Sequence, residues 1–177
     1  MNKTSSIFYF DEKLIQYEKK FEWNDALNYL ENLYKEHQSI QIVNTLIGFS
    51  WYYLIEGGVD SGRYENDDCK KALVLWKKYL DIGEKNYYND SYYNFIAGYT
   101  LSLHGFYINQ EYERKSIVFM KNSVLLAENA QLKKLTKHFL NNSISKKYIP
   151  LKNANEIRFL FFGGESLLDK YFFSILK

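Results

Sequence analysis

Apolar residues recur every three or four positions along most of the chain, the spacing that places them on one face of an α-helix. Asp11 and Asn24 stand where N-terminal capping residues of two helices are expected. The apolar positions of the first helix are Leu14, Ile15, Tyr17 and Phe21. Those of the second are Ala26, Leu27, Leu30, Leu33 and Tyr34. The pattern therefore predicts two amphipathic helices.

A third helix is predicted over about residues 39–56, and it carries apolar side chains on more than one side. Such a helix is expected to be buried at the centre of the fold. Gly57 and Gly58 are expected to end it, because glycine adopts the left-handed C-terminal conformation without steric cost. A polar loop through Asn66 is expected to follow.

Four more helices are predicted by the same periodicity, at about residues 67–84, 90–106, 110–128 and 130–141. Residues 143–152 contain the only proline, Pro150, and predict a connector. Asn153 and Glu156 have the spacing of a capping box for a short helix that ends at Gly163. A strand over residues 158–162 is the alternative, and residues 165–177 predict a final amphipathic helix.

These elements predict one all-α domain over residues 1–177, an α-solenoid of degenerate helical hairpins with about eight or nine helices. Residues 1–142 would form the hairpins and residues 143–152 the connector. Residues 153–177 would form a C-terminal cap, because the last repeat of a solenoid otherwise exposes its core.

A repeat supports this architecture. A small residue is followed four positions later by a larger apolar one in three predicted helices, at Ala26 and Leu30, Ala72 and Trp76, and Ser116 and Met120. The offsets of the small residues are 46 and 44 positions. A small side chain lets two helices of a hairpin approach closely, and the larger residue one turn later fills the groove between them.

Residues 40–107 carry a further pattern: Leu46-Ile47-Gly48, Gly57-Gly58-Val59, Lys71-Ala72 with Trp76 and Lys78, Gly83, and Gly98-Tyr99. This pattern resembles a Sel1-like repeat, a relative of the tetratricopeptide repeat. The resemblance is weak over residues 24–39 and 108–129 and does not extend to the C-terminal quarter. It implies an α-solenoid whose concave face binds a protein or a peptide.

The chain departs from this family pattern at several places. The loop between Leu54 and Asp67 is longer, Tyr79 and Leu80 replace an alanine pair at a helix end, and Trp51 replaces the usual tyrosine. Irregular stacking of the repeats is expected from these changes.

Composition and charge narrow the classes of function. The net charge is +2 without a basic block, so a nucleic-acid partner is not expected. No apolar stretch reaches about 20 residues and the N-terminus lacks a signal-peptide pattern, so neither a membrane partner nor export is expected. Cys69 is the only cysteine, which fits a reducing compartment and predicts a cytoplasmic protein.

No catalytic, metal or cofactor site is predicted. His37, His104 and His138 lie on separate predicted helices without a second ligand at metal-binding spacing. Cys69 follows two aspartates, which would raise the pKa of its thiol. Gly163-Gly164 lacks the strand and the lysine of a phosphate loop and predicts only a helix break.

Two segments are candidates for binding a partner. The first is acidic and contains Glu56, Asp60, Glu65, Asp67 and Asp68. It lacks the ligand order of a calcium loop, so it predicts either a solvated loop with a helix N-terminus or a docking site for a basic partner.

The second candidate segment interleaves four tyrosines with polar residues, at Tyr87, Tyr88, Tyr92 and Tyr93. The four rings are not expected to face one core from a loop and a first helical turn, so at least one pair is expected to be exposed. Exposed tyrosines combine a large contact area with a hydroxyl and are typical of binding hot spots. An aromatic content of 19% also suggests that some rings are exposed.

Taken together, these features predict a non-catalytic immunity protein that neutralises one cognate bacterial toxin domain by forming a tight complex. Lysine supplies 20 of the 23 basic residues, because arginine occurs only at 63, 114 and 158, and this A/T-rich codon usage is common among small bacterial immunity proteins. The slightly basic net charge argues against an inhibitor of a basic nuclease, unless the acidic segment supplies the complementary charge locally. The alternative is a scaffold that binds peptides or proteins in a regulatory or assembly complex.

Overall fold

The computed structural model describes residues 7–55, 67–145, 150–151, 157, 161 and 166–175, and these residues form helices and their connections without a strand. The prediction of an all-α fold is confirmed. The helices are α1 (Glu12–Lys19), α2 (Trp23–Glu36), α3 (Ile40–Leu54), α4 (Asp67–Tyr87), α5 (Ser91–His104), α6 (Gln110–Leu126), α7 (Ala130–Ser145) and α8 (Leu167–Ile175). A short 3-10 turn, Gly105–Tyr107, follows α5.

Side-chain caps set most of the N-terminal boundaries. Asp11, Ser39, Asp90 and Asn109 each accept a hydrogen bond from a backbone amide of the first turn that follows. The predicted cap of α2 is wrong, because α2 begins at Trp23 and the Asn24 side chain lies inside its first turn. Asn24 instead donates to the carboxylate of Asp68 in α4, with Nδ2 and Oδ1 2.7 Å apart.

Two C-terminal boundaries also differ from the prediction. Helix α4 continues through Gly83 to Tyr87, because this glycine provides space for the Tyr93 ring and does not end the helix. Helix α7 continues to Ser145, into the segment predicted as a connector from residue 143. Residues 56–66, which contain the predicted stop at Gly57 and Gly58, lie outside the described residues. Of the segment 158–162, only Phe161 is described, and it is helical.

The helices pack in two layers. Helices α3 and α4 form one hairpin and α5 and α6 form another, while α3 lies beside α5 and α5 lies beside α7. Side-chain bonds join α2 to α4 and α4 to α6 in the other layer, for example Lys78 to Glu31 and Lys115 to Glu84. We call α3, α5 and α7 the first layer and α2, α4 and α6 the second layer.

The three repeated residue pairs are all buried between these layers. A glycine comes close to the backbone of a neighbouring helix at Gly98 of α5, where a Cβ atom would lie 2.9 Å from the backbone nitrogen of Met120 and 3.1 Å from the carbonyl oxygen of Ser116. The predicted small and large positions of α6 therefore face a glycine of α5. Helix α3 is buried along nearly its whole length, as expected from its apolar pattern.

Tyrosine hydroxyls bond to carboxylates between neighbouring helices of the second layer. Tyr79 of α4 donates to Glu31 of α2 at 3.2 Å, and Tyr112 of α6 donates to Asp81 of α4. The same arrangement joins α2 to the cap of α1, where Tyr29 donates to Asp11. A lysine ammonium lies over each ring: Lys13 over Tyr29, Lys78 over Tyr79 and Lys115 over Tyr112.

These bonds predict a late and cooperative alkaline transition. Burial and the adjacent carboxylates raise the pKa of Tyr29, Tyr79 and Tyr112 above the ordinary value of 10.0. A raised folded-state pKa contributes stability that is present below pH 10.0 and is lost as the pH rises through the folded-state pKa. As the pH is raised, we expect the absorbance of tyrosinate to increase at the same pH at which the chain unfolds. In the urea-unfolded chain, the tyrosines are expected to titrate near their ordinary pKa of 10.0.

Tyr112→Phe provides the matched variant for this transition. It removes one interhelical hydrogen bond and is expected to lower the free energy of unfolding by about 1 kcal/mol. Full ionisation of the tyrosines near pH 10.0 in a chain that remains helical by circular dichroism would contradict the prediction.

Candidate functional site

The tyrosine segment is mostly part of the core. Tyr93 is fully buried and donates to the carbonyl oxygen of Leu80 at 2.8 Å, and its ring lies against Gly83. Tyr87 is partly buried and donates to the carbonyl oxygen of Gln38 at 2.7 Å. Tyr88, with 41% of its surface exposed, is the exposed member of the four. The expected exposed pair is therefore wrong, because neighbouring helices cover three of the rings.

Tyr92 is partly buried, and its ring lies edge-on to Phe161 at 6.2 Å between centroids. This contact joins the first turn of α5 to the C-terminal part of the chain. The sequence predicted at least one exposed pair among the four tyrosines, whereas the structure exposes Tyr88 and packs the other three rings against neighbouring segments.

The acidic segment is described only in part. Glu56, Asp60 and Glu65 lie outside the described residues. Asp67 and Asp68 form the first turn of α4. This position agrees with one of the two interpretations of the segment, a helix N-terminus. The Asp67 side chain is exposed beside Lys70, whereas Asp68 joins α4 to Asn24 of α2.

Asp68 also affects two neighbouring side chains. Burial, followed by the charge of Asp68, raises the pKa of Tyr53 to about 12. Burial and Asp68 likewise raise the pKa of the Cys69 thiol, in the direction expected from the sequence. A buried thiol with a raised pKa is a poor nucleophile. Cys69 therefore contributes to packing between α4 and its neighbours.

Two of the three histidines, His104 and His138, have packing partners. The indole nitrogen of Trp51 donates to Nδ1 of His104 at 3.1 Å, and the His104 ring stacks on Tyr107. Burial lowers the pKa of His138, whose Nε2 lies 3.1 Å from Nδ2 of Asn142. Within the described part of the chain, no three His, Cys, Asp or Glu residues are grouped as a metal ion would require.

A cleft of about 400 Å³ lies between the start of α5 and the connection from α6 to α7. Its lining residues are Asn89, Asp90, Ser91, Tyr92, Leu126, Glu128 and Asn129. The hydroxyl of Ser123 in α6 donates to the carbonyl oxygen of Ser91 and lies 3.1 Å from the Thr136 hydroxyl, so α6 contacts both the start of α5 and the second turn of α7. The cleft combines apolar, amide and carboxylate groups.

Exposed apolar side chains continue from this cleft. Tyr88 and Leu125 each precede a lining residue in the sequence, and 78% of the Leu125 surface is exposed. We call this surface the α5/α7 edge: Tyr88, Tyr92, Leu125, Leu126 and Glu128. Sequence reasoning identified its two tyrosines and missed the residues from the end of α6, whose apolar pattern looked like core. Its exposed apolar side chains and the Glu128 carboxylate are suited to binding a partner.

The C-terminal helix, α8, packs against the N-terminal part of the chain. The described contacts of α8 are with α1, α3, α5 and the N-terminal segment. Phe172 lies 5.3 Å from Phe8, 6.1 Å from Trp51 and 5.2 Å from Tyr99 between ring centroids. Leu168 lies over Gly48 of α3, where a Cβ atom would approach Leu168 Cδ2 to 3.0 Å. Helix α8 therefore covers a face of the first layer.

A buried carboxylate caps α8 from another helix. Glu18 of α1 is 1% exposed and accepts hydrogen bonds from the Ser166 hydroxyl at 3.1 Å and from the backbone amides of Leu167 and Leu168 at 3.2 and 3.4 Å. Free amides at a helix N-terminus favour a negative charge, so Glu18 fixes where α8 begins. Glu18 follows Leu14 by four positions, and a charged residue on that apolar face is the signal in the sequence that we missed.

Two variants of Glu18 test this cap. Glu18→Ala leaves three donors without their acceptor and is expected to lower the free energy of unfolding by about 1–3 kcal/mol. Glu18→Gln retains one oxygen acceptor and removes the buried charge, so its loss is expected to be smaller. Urea unfolding with circular dichroism measures both, and equal losses in the two variants would contradict the role of the oxygen acceptor.

The pH dependence distinguishes Glu18→Gln from the wild type. Burial raises the pKa of Glu18 above 4.5, against the opposing effect of the amide and hydroxyl donors and of Lys170. Its stabilising contribution is therefore present below pH 4.5 and declines as the pH rises through the folded-state pKa. Relative to the wild type, Glu18→Gln is expected to gain stability from acidic to neutral pH. A difference in the free energy of unfolding between the two proteins that does not change with pH would contradict this prediction.

No described helix has the combination of length and apolar character needed to cross a membrane. Comparison of the chain with protein-family models, with curated proteins and with solved structures finds no match.

Proposed function

We propose that this chain is a non-catalytic helical repeat protein that binds one specific protein partner tightly, and that the partner is a cognate bacterial toxin domain which the chain neutralises. The observation that carries this proposal is the position of α8. It covers the face of α1 and α3 with two fully buried apolar side chains, Leu168 and Phe172.

This position favours one tight partner over several loosely bound peptides. A scaffold of the Sel1-like or tetratricopeptide kind would offer a face of its first layer to many ligands. Here an intramolecular helix occupies such a face at an effective concentration of about 1 mM. Weak peptide ligands would compete poorly with it, so the uncovered surface is better suited to binding a folded partner.

The α5/α7 edge is the surface that we assign to the toxin. It joins an exposed tyrosine and exposed leucines to a polar cleft, which is the mixed character of protein interfaces. Its carboxylate, Glu128, supplies local negative charge although the net charge of the chain is +2. The buried, unpaired Cys69 fits a protein that acts in the cytoplasm.

Co-purification of the tagged full chain from its native cells tests the proposal. We expect one stoichiometric toxin domain to remain bound through a high-salt wash and to lose its toxicity when it is co-expressed with the chain. Several substoichiometric proteins that are lost in salt would instead support the alternative, a scaffold for a regulatory or assembly complex, and would overturn the toxin proposal.

A matched pair of variants locates the interface. Leu125→Asp on the α5/α7 edge is expected to weaken binding of the co-purified partner at least about tenfold, because it places an unpaired charge in the contact. Val74→Asp on α4, where the side chain is 64% exposed, is the control and is expected to bind normally. If the two variants bind the partner with equal affinity, the α5/α7 edge is not part of the interface.

A further inference from the structure

The face beneath α8 has the form of a groove for a helix. Its floor is Gly48, its aromatic walls are Phe8, Trp51 and Tyr99, and the carboxylate of Glu18 lies at one end. We call these five residues the α8 groove. Residues from α1, α3, α5 and the N-terminal segment form it, so it is assembled without a residue of α8 itself.

Glu18 recognises a helix by its backbone. Its oxygens accept hydrogen bonds from the amides of Leu167 and Leu168, and any helix beginning at this position would present equivalent donors. The carboxylate is almost completely buried, so it needs such donors whenever the groove is closed. This end of the groove therefore selects a helix N-terminus by its free backbone amides and is indifferent to the side chains of the first turn.

The rest of the groove selects two side chains. Gly48 leaves room for the branched end of Leu168, and the three aromatic rings surround Phe172, four positions later on the same helical face. A leucine and an aromatic residue at this spacing are thus the apolar features that a ligand needs. The charge and the shape of the groove define one chemistry, an amphipathic helix with a free N-terminal turn.

The present occupant is suited to exchange. Helix α8 has nine residues, which is shorter than the roughly 12–15 residues that an isolated helix needs in water, so its structure depends on the groove. Residues 146–166 separate it in sequence from the end of α7. Release of α8 would expose the groove without removing a helix from either layer.

We propose that the α8 groove is a helix-binding site, that α8 occupies it as an internal stand-in, and that an amphipathic helix of a protein partner enters it by displacing α8. The required ligand has free amides in its first turn, a leucine and an aromatic residue four positions later. This site is distinct from the α5/α7 edge and does not depend on the identity of the partner proposed above.

A peptide with the sequence of residues 161–177, carrying a fluorophore at its C-terminus, is the probe. It is titrated into the full-length wild type and into the full-length double variant Leu168→Ala with Phe172→Ala, which weakens the anchors of α8 and leaves the groove intact. The apparent affinity of a ligand is its intrinsic affinity multiplied by the fraction of molecules whose groove is free. We therefore expect the double variant to bind the peptide at least about tenfold more tightly than the wild type.

Three controls define the binding. A peptide with alanine in place of Leu168 and Phe172 is expected not to bind. Gly48→Leu, added to the double variant, fills the floor of the groove and is expected to abolish binding. Leu132→Ala removes a buried side chain of α7 outside the groove and is expected to leave peptide binding as weak as in the wild type.

Equal affinity of the probe for the wild type and a folded double variant would overturn the proposal. A double variant that forms a dimer and does not bind the peptide would show that a second copy of the chain occupies the groove. This result would also overturn the proposal. If the double variant does not fold, hydrogen exchange of the wild type tests whether α8 leaves the groove. Amides of α8 are then expected to exchange at least about tenfold faster than those of α5, and exchange of both only through global unfolding would overturn the proposal.

Discussion

Gly98→Ala is expected to lower the free energy of unfolding by about 2–3 kcal/mol, although alanine is the better helix former. The new methyl group would lie 2.7 Å from Met120 Cγ, 2.9 Å from the Met120 nitrogen and 3.1 Å from the Ser116 carbonyl oxygen. Two of these atoms belong to the backbone of α6, so α5 and α6 would have to move apart. Gly98→Val is expected to be still less stable or to fail to fold.

Gly48→Ala is the matched control, because it also adds a methyl group to a buried glycine within a helix. Its nearest neighbours, at 3.0 and 3.1 Å, are side-chain atoms of Leu168 and Phe8, whereas those of Gly98 include backbone atoms of α6. Its loss is expected to be below about 1 kcal/mol after the gain in helix propensity. Urea unfolding measures both variants, and a Gly98→Ala chain as stable as Gly48→Ala would contradict the close approach of α5 and α6.

Phe172→Ala is expected to lower the free energy of unfolding by about 3–5 kcal/mol, which is the usual loss for a buried phenylalanine. The Phe172 ring is fully buried between the N-terminal segment, α3 and α5, with Phe8, Trp51 and Tyr99 around it. Few neighbours can collapse into the space, because several are large aromatic rings held by their own contacts. Unfolding by urea, followed by circular dichroism, gives the loss.

Hydrogen exchange locates the effect of Phe172→Ala. We expect the amides of α8 and those around Phe8 to lose protection, because Phe172 links the two ends of the described chain. Leu132→Ala in α7 is a comparison of similar burial and is expected to leave both regions protected. A loss below about 1 kcal/mol for Phe172→Ala would show that α8 contributes little to stability.

The expectation that some rings are exposed is confirmed by Phe21, Tyr88 and Phe106. The aromatic content also has a second structural explanation. Many rings lie in the core or against it, and the hydroxyls of Tyr79, Tyr93 and Tyr112 bond to groups on neighbouring turns or helices. A tyrosine can thus fill apolar space and also satisfy a carboxylate or a carbonyl group. A high proportion of tyrosine therefore indicated packing between helices more than an exposed binding surface.

The candidate sites could be predicted only where the signal was local. Asp67 and Asp68 were identified as the start of α4 because helix capping depends on a few adjacent residues. Tyr88 and Tyr92 were identified as surface candidates, but Leu125, Leu126 and Glu128 were missed because their contribution depends on where α6 ends relative to α5. Glu18 was missed because its partners are about 150 positions away in the sequence.

The sequence by itself determined the all-α class, the approximate positions of the helices and the burial of the repeated pairs of small and large residues. Periodicity and capping are local, so residues 12–55 and 67–145 could be divided into helices from spacing alone, except for Phe21, Asn24, Gly83 and the end of α7. Only the tertiary structure decided which tyrosines are exposed, and that α8 covers α1 and α3 and is capped by Glu18. The physical reason is that these features depend on contacts between distant segments, whose relative placement is set by the packing of the whole core and not by the pattern of any one helix.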